Sequence, residues 1–313
     1  MMLEDIYTKE EKVLFSSCNL CPRECRADRT SGNAGYCGLD AGMNIASICI
    51  HKGEEPPVSG EKGICNIFFS GCNLRCIYCQ NYDISRPPSS FFRNKYSYRE
   101  ALDEIERILS AGVRAVGFVS PSHVVPQVKA LIRGLHDRGL RPLTIYNTNA
   151  YDKPEVIDSL DGMIDIYLPD YKYVSSSIAK EYSDASDYPE VALRALKRMY
   201  YQKGSLFRTD REGRAENGML IRHLVLPGHT EESMKVLETI AGELSPGVSV
   251  SLMAQYYPTP GVSDHTLLNR PLYKEEYGSV VCYMKKLGFR NGWFQDMNSY
   301  LTYRPDFKKD VPF

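Results

Sequence analysis

The stretch Ile64-Cys-Asn-Ile-Phe-Phe-Ser-Gly-Cys72-Asn-Leu-Arg-Cys76-Ile-Tyr-Cys79-Gln-Asn81 decides the fold. Its first half, Ile64–Ser70, is a short apolar run that reads as a buried strand. Its second half sets three cysteines at Cys-x3-Cys-x2-Cys spacing on a loop directly after that strand. Close spacing on a loop lets several thiolates converge on one iron–sulfur cubane. Three thiolates ligate three of four irons and leave one iron open to an outside ligand. A zinc site or three buried thiols is the plainer alternative.

Downstream, apolar runs alternate with amphipathic patterns. Strands are expected at Ala115–Val119, Leu143–Tyr146, Met163–Leu168, Leu220–Leu226 and Val248–Ala254. Helices are expected near Tyr98–Ala111, Val124–Arg138, Pro154–Leu160, Pro189–Tyr201, Glu231–Glu243 and Tyr273–Leu287. Ser97 and Glu100 form a capping box for the first of these. Near-continuously apolar strands separated by helices imply parallel β/α units. About six units give an α/β fold, a full or partial β/α barrel, with a doubly wound sheet as the alternative. In such barrels the chemistry sits on loops after the strands. A polar segment carrying Pro87-Pro88 follows the cysteine loop, and residues 203–218 read as an exposed insertion or hairpin.

Composition bounds the rest. The chain has 313 residues, 43% of them hydrophobic, enough for a large core. The formal net charge of −1 gives no basic excess of the kind nucleic-acid binders carry. The amino terminus lacks the charged and apolar regions of a secretory signal. No apolar run reaches the roughly 18–20 residues of a membrane span. A cytoplasmic protein without membrane or nucleic-acid partners is expected.

Nine of the ten cysteines fall in the first 79 residues, a clustering that in a reducing compartment points to metal or cluster ligands. Cys18-x2-Cys21-x3-Cys25-x11-Cys37 supplies four thiols at ligand-like spacing, suited to tetrahedral zinc or to a second, fully ligated [4Fe–4S] cluster. Cys49, His51 and Cys65 are supplementary candidates, with small apolar filling as their plain reading. Cys282 reads as buried packing within a helix. The composition changes near residue 64, which divides a Cys-rich metal-binding extension (1–63) from the β/α barrel (64–313).

The chain resembles the radical S-adenosylmethionine (SAM) superfamily, whose signature is Cys-x3-Cys-x2-Cys after the first barrel strand. Six segments carry a closer likeness to its pyruvate formate-lyase activating enzyme-like branch, in particular to members with an extra amino-terminal Cys motif. They are residues 18–38, HKGEEPPVSG (51–60), FFSGCNLRCIYCQN (68–81), FVSPSHVVPQ (118–127), DIYLPDYKY (165–173) and LIRHLVLPGH (220–229). The resemblance implies a partial (β/α)6-type barrel with a small Cys-rich extension. It implies that Cys72, Cys76 and Cys79 bind a [4Fe–4S] cluster whose open iron chelates SAM. Reductive cleavage then yields a 5′-deoxyadenosyl radical that takes a substrate hydrogen.

By the same resemblance Tyr78 lies near the adenine, Asn147 and Asn149 near the ribose, and Asp170 and Lys172 close to SAM. Arg222 and His223 fall on a strand near the SAM site. The Gly-Gly-Glu that binds the SAM amino group in many activating enzymes is replaced by Val119-Ser120-Pro121-Ser122-His123, so Ser120, Ser122 or backbone carbonyls are left to make that contact. The implied partners are a one-electron donor such as flavodoxin or ferredoxin and, as substrate, a glycyl-radical enzyme. Another peptide or a small molecule is the alternative substrate. A non-catalytic iron–sulfur or zinc protein is the alternative of a different class.

Overall fold

The structure is a computed structural model describing residues 6–86, 96–302, 304–309 and 312–313. The Pro87-Pro88 segment lies outside the described residues. Among the described residues nine strands build the sheet: β1 (Ile45–His51), β2 (Ile64–Phe69), β3 (Ala115–Val119), β4 (Leu143–Thr148), β5 (Ile166–Pro169), β6 (Arg208–Thr209), β7 (Ala215–Leu224), β8 (Ser249–Met253) and β9 (Gly292–Phe294). Their spatial order is β1-β2-β3-β4-β5-β7-β8-β9, with β6 beside β7. From β2 through β5, β7 and β8 to β9 all neighbours are parallel.

That order separates a barrel from a doubly wound sheet. A doubly wound sheet reverses its strand order at a switch point. Here six β/α units follow one another round the sheet, and the path ends at β1 and β9. The fold is a parallel-dominated α/β partial barrel. All residues of β2, β3, β5 and β8 are buried, as two-sided packing requires.

The helix after the cysteine loop, Tyr98–Ser110, begins at the expected capping box. The Ser97 hydroxyl accepts from the Glu100 amide at 3.3 Å, and the Glu100 carboxylate accepts from the Ser97 amide at 2.8 Å. Ala101, Leu102, Ile105 and Ile108 turn one face inward. Residues 203–218 contain the expected hairpin: β6 pairs antiparallel with the start of β7, and Gly213 supplies a positive φ in its turn.

Three features depart from expectation. Cys282 is exposed on helix Lys274–Lys286, so it is not core packing. The helix turns Val280 and Met284 inward instead, because its inner stripe does not pass through residue 282. Strand β1 is not foreshadowed by the sequence pattern, since IASICIH shows no alternation. It pairs antiparallel with β2, and Phe15, Leu39 and Ile45 share one hydrophobic core with Val116 and Tyr146 of the barrel. Helix Ser176–Ser183 is likewise unexpected, because SSIAKEYS is Ser-rich and weakly apolar. Its last two residues offer their carbonyls to the cysteine loop.

Candidate active site

The cysteine loop leaves the carboxyl end of β2 and is pinned from several sides. The Arg75 and Ile77 amides donate to the Ser183 and Tyr182 carbonyls at 3.1 and 2.9 Å. Arg23, from the Cys-rich extension, donates to the Asn73 and Asp184 carbonyls at 2.8 and 2.6 Å. Asn73 donates in turn to the Tyr151 carbonyl at 2.7 Å. A loop this well anchored presents its thiols in a fixed arrangement.

Cys72, Cys76 and Cys79 lie within one another's electrostatic reach. Burial pushes the Cys72 thiol up to about 12, and Cys76 and Cys79 add to the rise. Burial and Cys76 likewise raise Cys79. Donors aimed at the sulfurs oppose this. The Leu74 amide donates to Cys72 Sγ at 3.4 Å and the Asn149 amide group at 3.5 Å. Lys172 favours the thiolate at both Cys72 and Cys79. Half-buried thiols crowded together yet supplied with donors suit sulfurs that deprotonate onto a cationic cluster.

Lys172 Nζ stands 2.6 Å from Asp170 Oδ2. Burial disfavours its charge, but Asp170 and Cys76 outweigh that and raise its pKa above the usual lysine range. This is a partly buried ion pair facing the thiols. Tyr78 shares a hydrogen bond with Tyr173, whose hydroxyl reaches Ser183 Oγ at 2.9 Å, and Ser183 Oγ lies 3.0 Å from Cys76 Sγ. A relay of hydroxyls therefore runs along one side of the loop.

A cleft opens beside the third cysteine. Gln80 and Asn81 form one wall, with Asn147, Arg222 and Gln255 from the strand ends and Glu54 and Glu55 from the segment before β2. Arg222 is buried and bonds both carboxylates, its Nε lying 3.0 Å from Glu55 Oε1. Asn66 donates to Glu54 at 3.0 Å. Burial opposes the Glu54 charge, yet Arg222 draws its carboxyl below the ordinary range.

The other residues picked from sequence are distributed unevenly. Asn147 reaches the cleft. Asn149 instead braces the cysteine loop, donating to Asn73 Oδ1 at 2.8 Å as well as to Cys72. Ser120 follows β3 at φ 52°, its amide bonded to the Asn147 carbonyl at 2.8 Å. Ser122 is buried, 2.9 Å from Thr148 Oγ1. Both ring nitrogens of His223 are engaged, Nδ1 with the Tyr171 carbonyl at 2.8 Å and Nε2 with Ser233 Oγ at 2.9 Å. Cys49 and Cys65 fill hydrophobic clusters on β1 and β2. Sequence reading missed Ser183, Arg23, Glu54 and Glu55 as site-building residues. The adjacent carboxylates in HKGEEP, beside a buried run, were the available signal.

Burial holds His123 and His223 neutral, pushing each pKa down to about 4 from an ordinary 6.5. The unfolded chain binds protons that the folded chain refuses, so this stability is full above about pH 6.5 and lost as pH falls toward 4. Each histidine is expected to cost about 2 kcal/mol at pH 5 relative to pH 7. Urea unfolding at the two pH values checks this. An unchanged slope in a His223→Gln variant would show that His223 is not the source.

Gly71 lies directly before Cys72 at φ 70°. A Cβ there would stand 2.5 Å from the Cys37 carbonyl oxygen and 2.9 Å from Leu39 Cγ. Gly71→Ala is expected to destabilise the fold by about 1–3 kcal/mol. Gly162→Ala, at φ 72° with open space around it, is the control for backbone strain alone. Equal shifts in unfolding midpoint would mean that the extension does not press on the loop.

The radical SAM superfamily model matches residues 66–240. The chain belongs to the radical SAM superfamily. Members of this superfamily are enzymes that use a [4Fe–4S] cluster and SAM. The chain is 27% identical over 281 residues to an uncharacterised protein of Methanocaldococcus jannaschii, covering 88% of this chain and 76% of that protein. It is 28% identical over 192 residues to the 7-carboxy-7-deazaguanine synthase of Methanopyrus kandleri, covering 54% and 70%. The crystal structure of Streptococcus suis SuiB bound to SAM aligns with a TM-score of 0.49 at 12% identity, over 74% of this chain and 50% of that one. A domain of a pyruvate-formate lyase-activating enzyme from Bacteroides vulgatus aligns with a TM-score of 0.38 at 14% identity, over 55% and 93%. The chain thus spans about half the length of SuiB. Among the described residues no helix is long and apolar enough to cross a membrane.

Proposed function

We propose that Cys72, Cys76 and Cys79 hold the [4Fe–4S] cluster and that the adjoining cleft is the reaction chamber. When bound, the cluster and SAM supply a 5′-deoxyadenosyl radical able to abstract a substrate hydrogen. The observation that carries this reading is the mutual approach of the three thiols at the end of β2, with the Lys172 ammonium beside them.

The chain's own residues bind, orient and exclude water. Lys172 neutralises the SAM carboxylate, and Asp170 offsets the positive sulfonium. Asn147 donates to the ribose from the end of β4. Ser120 stands where the activating enzymes carry their Gly-Gly-Glu. The rings of Tyr78, Tyr182 and Tyr256 pack edge to face and tilted at centroid distances of 6.5 and 6.2 Å beside the cysteine loop, and would keep water from that side of it. Asn149 and His223 act at one remove, through the loop and through the Tyr171 backbone.

The substrate is inferred to be a glycine of a glycyl-radical enzyme, following the likeness of residues 51–60, 165–173 and 220–229 to the activating enzymes. The electron comes from a flavodoxin or ferredoxin. Anaerobic protein loaded with cluster and given dithionite and SAM is expected to release 5′-deoxyadenosine. None formed by fully loaded protein would reject the radical reading. A glycyl-radical doublet in the partner's EPR spectrum tests the substrate; its absence while 5′-deoxyadenosine accumulates would reject the activating role alone.

A further inference from the structure

The chemistry of the Cys72 site makes no use of the acid pair in the cleft. Glu54 and Glu55 share one buried cation, Arg222, which bonds both carboxylates through Nε and Nη2. Two carboxylates against one guanidinium leave a surplus negative charge, in a set whose side chains are 7–8% exposed. His51 does not offset it. Its Nε2 stands 4.0 Å from Glu54 Oε1, but burial draws its pKa below the ordinary 6.5, so it is neutral at pH 7. Asp170, the next acid that acts on Arg222, is paired with Lys172. A buried charge in excess is costly, and a further cation relieves the cost.

An independent observation points the same way. Asn66 lines the cleft, is 1% exposed and donates through Nδ2 to Glu54, but its Oδ1 has no partner. Gly117, opposite Asn66 in the register of β2 and β3, makes room for that oxygen: a Cβ there would stand 2.2 Å from it. A buried acceptor without a donor is itself unfavourable. Each of the four carboxylate oxygens takes a donor from Asn66 or Arg222 and keeps a further lone pair. This part of the cleft is rich in acceptors and short of donors, the complement of an ammonium or guanidinium.

The glutamines of the same cleft have the reverse character. Gln80 donates to the Gln255 carbonyl at 2.8 Å, Gln255 to Gln80 Oε1 at 3.0 Å and Gln295 to Gln255 Oε1 at 2.7 Å. The Ala254 amide fixes Gln295 Oε1 at 2.9 Å. Each carboxamide nitrogen carries two N–H groups and spends one here, so a row of held donors remains. Donors of this kind suit the carbonyls of a peptide main chain, while a pocket for one side chain adds specificity. The free volume of the cleft is about 120 Å³, near the ~150 Å³ that takes a benzene-sized group, and so suits the end of one side chain. Asn66 lies three residues before the end of β2, roughly 10 Å along the strand, whereas Cys72 follows that end. A cation held at the loop, such as the amino group of SAM in the function proposed above, is therefore at another level from Glu54.

We propose that Glu54, Glu55 and Asn66 form a subsite for a basic side chain of a peptide substrate, whose main-chain carbonyls the glutamine amides receive. The inference rests on the function proposed above and sets the basic residue within a few positions of the reacting glycine.

The test uses the full chain loaded with its cluster and given SAM but no reductant. The probes are blocked Gly-Arg and Gly-Lys dipeptides and their citrulline and Nε-acetyl-lysine counterparts, which keep the shape and remove the charge. Calorimetry is expected to show each basic peptide binding about tenfold or more tighter than its neutral counterpart. Equal affinities, or binding of none of the four, overturn the proposal, and this comparison needs no variant to fold. Glu54→Gln keeps an oxygen for the Asn66 and Arg222 donors and removes the surplus charge, so the preference should fall to about onefold there. If that variant instead loses affinity for SAM and keeps the peptide preference, the cation at Glu54 is the amino group of SAM and the peptide subsite is rejected. Adding dithionite judges the radical reading separately. No 5′-deoxyadenosine with the peptide preference intact rejects that reading alone; 5′-deoxyadenosine without the preference rejects the subsite alone.

Discussion

Cys76→Ala is expected to lower 5′-deoxyadenosine formation by about a thousandfold or more, because under the proposed function the loss is of a ligand and not of a contact. Two thiolates cannot hold a cubane with a single open iron. The variant should therefore lose iron and sulfide together with activity. Cys76 also touches Ser183 at 3.0 Å, in the relay through Tyr173 to Tyr78, so a second cause must be separated from the first. Ser183→Ala does this: it removes the hydroxyl and keeps the thiolate. Iron content near that of the wild type, with a reduced rate of SAM cleavage, is expected there. If Cys76→Ala kept its cluster and its rate, the loop would not be the catalytic centre, whatever its spacing.

The cysteine loop was legible because its three cysteines are close in sequence and follow a recognisable strand. The β/α alternation was legible for a similar reason, since periodicity is local. What brings the loop into position was not. Arg23 reaches Asp184 and Ser183 across about 160 positions of chain, and Arg222 reaches Glu54 and Glu55 across still more. No periodicity encodes such pairings; they arise from the sheet order that sets β7 beside β5 and brings the segment before β2 to the barrel's open end. Asn149 is instructive. Its placement at the end of β4 is legible in YNTNA, but the side chain turns to Asn73 and Cys72, because the Asn73 side-chain oxygen and the Cys72 sulfur lie within its reach. His223 shows the same limit: its strand is legible, and both nitrogens find internal partners. Helix Ser176–Ser183 escapes a reading by pattern because its value lies in two carbonyls and one hydroxyl offered to the loop, not in an apolar stripe.

Arg222→Met should be the most destabilising single change in the cleft, by about 3–5 kcal/mol. Arg222 is 6% exposed, and the side chains of Glu54 and Glu55 are 7% and 8% exposed, so neither carboxylate has water to fall back on. Removing the guanidinium leaves two buried acids a short distance apart, with Asn66 donating to Glu54 and His51 Nε2 4.0 Å from it. The sign of the pH dependence then reverses. In the wild type Glu54 titrates below its ordinary 4.5, so its contribution is present above that pH and is lost as pH falls through the folded value. In the variant the unpaired carboxyls are pushed upward by burial and by each other, so the folded state binds protons more readily than the unfolded one. The variant's deficit relative to the wild type, which carries the same buried His123 and His223, should accordingly shrink as pH falls from 7 toward 5. Urea midpoints across that range distinguish the cases. The Glu54→Gln/Glu55→Gln/Arg222→Met variant should regain much of the loss at pH 7, since it removes the stranded charges rather than the fold that buried them. If Arg222→Met alone matched the wild type at pH 7, the three groups would not be a buried, mutually neutralising set, and the cleft's charge balance would have to be redrawn.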